Sequence, residues 1–100
     1  MSYILQVDFP YQGPWGDEMA TAMEELAKSI AKEPGMIWKI WTENSAQKEA
    51  GGIYMFDTEQ NARNYLDMHT KRLAGFGITP VTGKIFAVND QLSRLDNAPL

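Results

Sequence analysis

His69 is the only histidine in a chain that has no cysteine. Tyr65 precedes it by four residues, so on a helix the two side chains project from one face. Imidazole has an ordinary pKa close to neutrality, which lets it take or give a proton under physiological conditions. A neighbouring phenol can orient a substrate oxygen or donate to it. A structural His–Tyr pair has the same spacing, and spacing alone leaves both readings open. Trp38 lies mid-way along the apolar stretch Met36–Thr42. With Phe9, Met55 and either Met19 or Met23 it could wall an apolar cavity around the histidine, the usual form of a small-molecule site. Methionine suits a pocket that adapts to planar ligands. The same residues would serve equally as plain core.

Other chemistries are excluded by what is missing. Without cysteine there is no thiolate nucleophile, disulfide or sulfur-ligated metal. One histidine cannot build a conventional zinc site without carboxylates, and no metal is expected. No G-x-G-x-x-G follows a strand, and neither a P-loop nor H-E-x-x-H is present. Ser2, Ser29 and Ser45 fall in a terminus, a helix pattern and a loop, not in a nucleophile elbow. An enzyme built on these residues would work without a cofactor. Haem is the one group that His69 alone could ligate. The net charge of −4 gives no electrostatic case for nucleic acid or an anionic membrane. No apolar run approaches the ~18 residues that span a bilayer. With no basic and apolar leader pattern, the expected location is the cytoplasm.

The elements that must position these residues can be read in order. Tyr3–Phe9 alternates as a half-buried strand and Pro10 ends it. Residues 16–32 carry Met19, Ala22, Met23, Leu26, Ala27 and Ile30 at helical spacing, and Glu33-Pro34-Gly35 stops the helix. Trp15, just before it, is either an apolar staple for the helix entry or a wall over a pocket mouth. A second strand covers Met36–Thr42. The polar loop Glu43–Lys48 leads to a third strand, Ala50–Phe56, whose Gly51-Gly52 signals a bulge or a close backbone approach. A second helix starts at Asp57 or Thr58, carries Ala62, Tyr65, Leu66, His69 and Leu73 on its inward stripe, and stops at Ala74-Gly75. The fourth strand is Val81–Asn89.

The order β-α-β-β-α-β predicts an α+β, ferredoxin-like fold: a four-stranded antiparallel sheet with two helices on one face. One domain is expected over residues 1–90, with 91–100 as a tail or an arm lying on a partner. Alternation then assigns Leu5, Val7, Phe9, Met36, Trp38, Ile40, Ile53, Met55, Ile85 and Ala87 to the helix side. It assigns Ile4, Ile37, Trp41, Tyr54, Phe56, Phe86 and Val88, with Gln6, Asp8, Lys39 and Lys84, to the other. A sheet face carrying four aromatics exceeds the apolar patch a monomer exposes. The expectation is a homodimer packed through Trp41, Tyr54, Phe56 and Phe86.

Several stretches carry a family likeness. They are Gly13-Pro14-Trp15-Gly16-Asp17, the run from Glu33 to Glu43, and Glu49-Ala50-Gly51-Gly52-Ile53-Tyr54. Tyr65-Leu66, His69-Thr70, Arg72-Leu73, Lys84, Phe86, Val88-Asn89 and Leu92-Ser93 continue it. In these the chain resembles the YdhR family of mono-oxygenases, in the dimeric α+β barrel group. The resemblance implies a ferredoxin-like protomer, a dimer made by sheet-to-sheet packing, and a helix–sheet cavity suited to aromatic compounds. It also implies oxygenation without a cofactor, as in the antibiotic-biosynthesis mono-oxygenases of that group. Those relatives use a Trp, Asn, Tyr and Arg set, for which Trp38, Tyr65, His69 and Arg72 offer the nearest types.

The expected activity is therefore oxygenation of a hydroxylated aromatic, with His69, Tyr65 and Trp38 as catalytic residues. Phe9, Trp15, Met23, Met55 and Arg72 would hold the substrate. A non-catalytic module for an aromatic or quinone ligand, and a haem protein ligated by His69, are the alternatives.

Overall fold

A computed structural model describes residues 1–100. Strands β1 (Tyr3–Pro10), β2 (Met36–Asn44), β3 (Glu49–Phe56) and β4 (Thr82–Ala87) form one antiparallel sheet in the order β2-β3-β1-β4. This is the expected ferredoxin-like topology. Helices α1 (Gly16–Ala22), α2 (Glu24–Ile30) and α3 (Glu59–Gly75) supply the layer that covers one face. None of the helices is long and apolar enough to cross a membrane.

The long helix expected over residues 16–32 is two short ones. They meet at Met23, whose backbone (φ −101°, ψ 5°) leaves the helical range. Neither Gly nor Pro stands there, so the sequence holds no breaker to announce the junction. Thr58 caps α3 by accepting a 3.0 Å hydrogen bond from the Asn61 N–H. The tail is not frayed. A short helix α4 (Asp90–Leu95), capped by Asn89 Oδ1 on Leu92 N–H at 3.0 Å, folds back with Pro99 and Leu100 against Trp38 and Met55 on the face the other helices leave open.

The faces of β1 and β4 are as expected, but those of β3 and of β2 after Met36 are inverted. The main core gathers Leu5 and Val7 from β1, Tyr54 and Phe56 from β3, Ile30, Ala62 and Tyr65. Register fixes the rest. Leu5 stands opposite Tyr54, and Tyr54 opposite Lys39, so Lys39 lies on the helix side. Two steps along, Trp41 is on that side too. Trp38 pairs with Met55, which pairs with Ile4, so these three point to the open face. In β2 the cause is a bulge at its start, where Met36 faces Phe56 and Trp38 faces Met55, leaving Ile37 as the extra residue. One extra residue flips every later side chain to the other face of the sheet. Tyr54 and Phe56 are buried in the protomer core and cannot form a dimer face. Trp41 is likewise on the wrong side for one. Of the four residues expected at that face, only Phe86 is there. Ile4, Trp38, Ile40 and Ile53 accompany it.

Candidate functional site

Between sheet and helices lies a small chamber of about 30 Å³. That is room for water, not for an aromatic ring. Phe9 and Tyr11 wall one end, and Met19, Met23 and Leu26 of the first helical layer roof it. Lys39 and Trp41 of β2 form a side, His69 and Leu73 of α3 another. Outside it runs an open groove of about 300 Å³ between α1–α2 and the edge strand β2. Met19, Met23 and Trp41 line both spaces and form the partition between them. Two of the three are flexible thioethers, and Met23 sits at the helix junction. On the rim, Glu43 of β2 accepts a 2.9 Å hydrogen bond from the Gly16 N–H and ties the start of α1 to the sheet edge.

Lys39 is the unexpected member. Its Nζ lies 3.4 Å from the Trp41 ring centroid and 4.7 Å from that of Tyr54. It joins neither of the two ion pairs in the chain, which are Lys28–Glu25 and Arg63–Glu59. Gly52 makes room for it: a Cβ there would come within 2.7 Å of Lys39 Cε. Burial, and then the positive charge of Arg72, bring the ammonium down to about 7. Alternation from Trp38 put Lys39 on the outer face, and the bulge at Ile37 reverses that assignment. The absent side chain at Gly52 was the available signal.

His69 and Tyr65 do sit together, with rings stacked 5.0 Å apart at 26°. Tyr65 shares a 3.1 Å hydrogen bond with Tyr54, and burial raises both phenols. Arg72 donates to His69 Nδ1 from Nε (3.3 Å) and Nη2 (3.0 Å). A guanidinium cannot accept, so Nδ1 carries the lone pair and the ring proton belongs on Nε2. Burial, then Arg72 and Lys39, push the imidazole down to about 3. Neutral in this tautomer, His69 is a hydrogen-bond donor at Nε2 and has no free lone pair for a substrate proton. The role of base expected for it does not suit this geometry.

A stability effect follows. The unfolded histidine binds its proton below about pH 6.5, whereas the folded one does so only near 3. Between those values the unfolded state holds more protons, so falling pH lowers stability, by up to roughly 1.4 kcal/mol per pH unit. Urea unfolding of wild type and His69→Gln across pH 7 to 4 is expected to converge, wild type losing more. Parallel curves would show that His69 does not titrate this way.

Trp38 and Met55 are not in the chamber. They lie beneath the C-terminal tail on the opposite face of the sheet. Phe9 and Met23 line the chamber as expected, and Arg72 acts on it through His69. Trp15 packs edge-on against Tyr11, ring centroids 5.2 Å apart at 86°, in the cluster with Met19 and Ala50. It lines neither groove nor chamber, which favours the staple reading. Tyr11 was overlooked because it follows Pro10 and reads as turn. It is buried, lines the chamber, and its hydroxyl has no partner in the chain. A buried hydroxyl without a partner is uncommon and marks a place for a ligand or water. No group of three or more His, Asp or Glu side chains converges anywhere in the chain.

Comparison with known proteins agrees with this architecture. The solved structure of a "putative antibiotic biosynthesis monooxygenase" from Deinococcus radiodurans is similar at a TM-score of 0.57, with 12% identity over 89% of this chain and 93% of that one. At that identity the likeness speaks for the fold. A comparison with curated proteins finds no match. The family described as "Putative mono-oxygenase ydhR" matches residues 4–99. With nearly the whole chain covered, the protein belongs to the ydhR mono-oxygenase family.

Proposed function

We propose that the chain oxygenates a hydroxylated aromatic compound, with the substrate itself as the electron donor to O₂ and Lys39 as the base. The observation that carries this is an amine with no ionic partner in a chamber whose remaining walls are largely aromatic and thioether. A ring entering from the groove would displace the Met19–Met23 roof and bring its hydroxyl to Lys39. The neutral amine takes the phenolic proton. The phenolate gives one electron to O₂, and the radical pair closes to a ring–oxygen bond. Protonation yields a hydroperoxide, which breaks its O–O bond as a ring C–H proton leaves. One oxygen ends in a quinone and the other in water. The ring loses four electrons and O₂ gains four. His69 Nε2–H and the Tyr11 hydroxyl are the donors the chain can offer to substrate or peroxide oxygens. Apolar walls keep water from competing. In this scheme the protein needs no cofactor.

The open sheet face supports a homodimer. Ile37 and Ile40 are each 54% exposed and Phe86 is 51% exposed on it, and an apolar sheet face calls for a cover. Haem ligation by His69 fits poorly, since its ring is stacked on Tyr65 and its Nδ1 lone pair is taken by Arg72.

The test is oxygen uptake with naphthol-, dihydroxynaphthalene- and anthrone-type substrates. Quinone is expected to form in proportion to oxygen consumed. Saturable quenching of tryptophan fluorescence with no uptake across the panel would make the chain a non-catalytic aromatic-binding module instead.

A further inference from the structure

We propose that Lys39 is also a nucleophilic amine that condenses with aryl aldehydes and ketones entering from the groove, so that the site accepts aromatic carbonyl compounds covalently as well as phenols. The proposal uses the same chamber as the oxygenation but not its chemistry.

Three features of the site carry it. The amine has no carboxylate partner, so neither an ion pair nor a hydrogen bond ties up the nitrogen. It is next to the partition: Lys39 Nζ lies 3.4 Å from the centroid of the Trp41 ring, and Trp41 lines the groove as well as the chamber. A flat carbonyl compound that took that face of Trp41 from the ammonium would leave its carbonyl carbon beside the displaced amine. Apart from His69 and the Tyr11 hydroxyl, the chamber that Lys39 lines is apolar, with Phe9, Met19, Met23 and Leu73 among its walls. A lysine set in apolar surroundings beside another cation, here Arg72, matches the environment in which imine-forming lysines are activated.

The step balances without a co-reactant. The amine lone pair adds to the carbonyl carbon, a proton passes from nitrogen to oxygen, and the carbinolamine loses water to leave a C=N bond. Displacement of water from the chamber by the entering aryl group favours that dehydration. The downward shift of Lys39 to about 7 supports the reading, since near neutrality it leaves a large neutral fraction that a surface lysine lacks.

The experiment is reductive trapping. The protein is incubated at pH 7 under nitrogen with 2-naphthaldehyde and sodium cyanoborohydride, then mapped by peptide mass spectrometry. Lys39 is expected to be labelled at least about tenfold more than Lys28, Lys32, Lys48, Lys71 or Lys84. Excess 2-naphthol should suppress that label and spare the others, and Lys39→Arg should lose it. Even labelling of all lysines, or labelling at Lys39 that 2-naphthol does not affect, would overturn the proposal. The wild-type map decides even if the variant fails to fold. Because no oxygen is present, trapping can succeed where oxygenation fails, and the reverse.

Discussion

Replacing Lys39 by methionine is expected to abolish oxygen uptake on phenolic substrates and, in the same variant, to make the fold more stable at neutral and acidic pH. Loss of a positioned base costs ~10²–10⁴-fold in kcat. The base must be neutral to act, so wild-type kcat/KM should rise with pH and level off above about 7. The methionine variant should show no such limb. The groups facing the amine are Arg72 and His69 from α3, Tyr54 from β3 and Trp41 on its own strand. Over this range His69, held at about 3, stays neutral. Tyr54 is raised by burial and stays protonated. The limb therefore belongs to Lys39.

The stability half of the prediction has the opposite sign to a usual ion pair. Lys39 titrates at about 7 in the folded state and near 10.4 when unfolded. Between these values the unfolded chain holds more protons, so stability rises with pH across that window. The penalty is complete below pH 7 and gone above about 10.4. Methionine keeps the stem and removes the charge, and the cation–π contact it gives up is worth only ~0.5–2 kcal/mol. The net gain at pH 6 should be on the order of a few kcal/mol, shrinking as pH rises. Thermal unfolding of the two proteins at pH 6 and pH 10 measures it. A variant that keeps uptake, or that is less stable than wild type at pH 6, would remove Lys39 from the role of base.

Local chemistry in the sequence settled the element order but not the side of the sheet that two strands present. β1 could be oriented because polar and apolar residues alternate there: Gln6 and Asp8 against Leu5, Val7 and Phe9. In Ile37-Trp38-Lys39-Ile40-Trp41 and in Ile53-Tyr54-Met55-Phe56 large apolar side chains occupy both faces, so period two carries no sign. The bulge at Ile37 then decides the orientation of β2, and a bulge of one residue leaves no mark when its neighbours are all apolar. The consequences for the site are unequal. His69, Tyr65 and Arg72 were legible because helical spacing fixes their relation. Trp38 was assigned a place that Lys39 and Trp41 hold. Tyr11 was missed because nothing in a turn sequence says that its hydroxyl will be buried without a partner.

That inversion makes assembly the sharper test of the architecture, and two adjacent residues carry it. Ile40→Asp is expected to dissociate the proposed homodimer, weakening it by at least ~10²–10³-fold, while Trp41→Ala leaves assembly intact and impairs aromatic binding. Ile40 pairs with Ile53 on the open face, is 54% exposed, and can be replaced at little cost to the protomer core. At a sheet-to-sheet seam the new carboxylate would be buried without a partner, a penalty of several kcal/mol, and ~1.4 kcal/mol is already tenfold in affinity. Trp41, one residue on, points the other way and lines groove and chamber with Met19 and Met23. Sedimentation velocity at micromolar concentration, with naphthol binding measured alongside, separates the alternatives. A wild type that sediments as a monomer would remove the dimer. Dissociation by Trp41→Ala with an intact Ile40→Asp dimer would put the interface on the face where the chamber lies. A chamber covered in that way would be closed to a ring from the groove, and the base, the groove and the carbonyl chemistry at Lys39 would fall together.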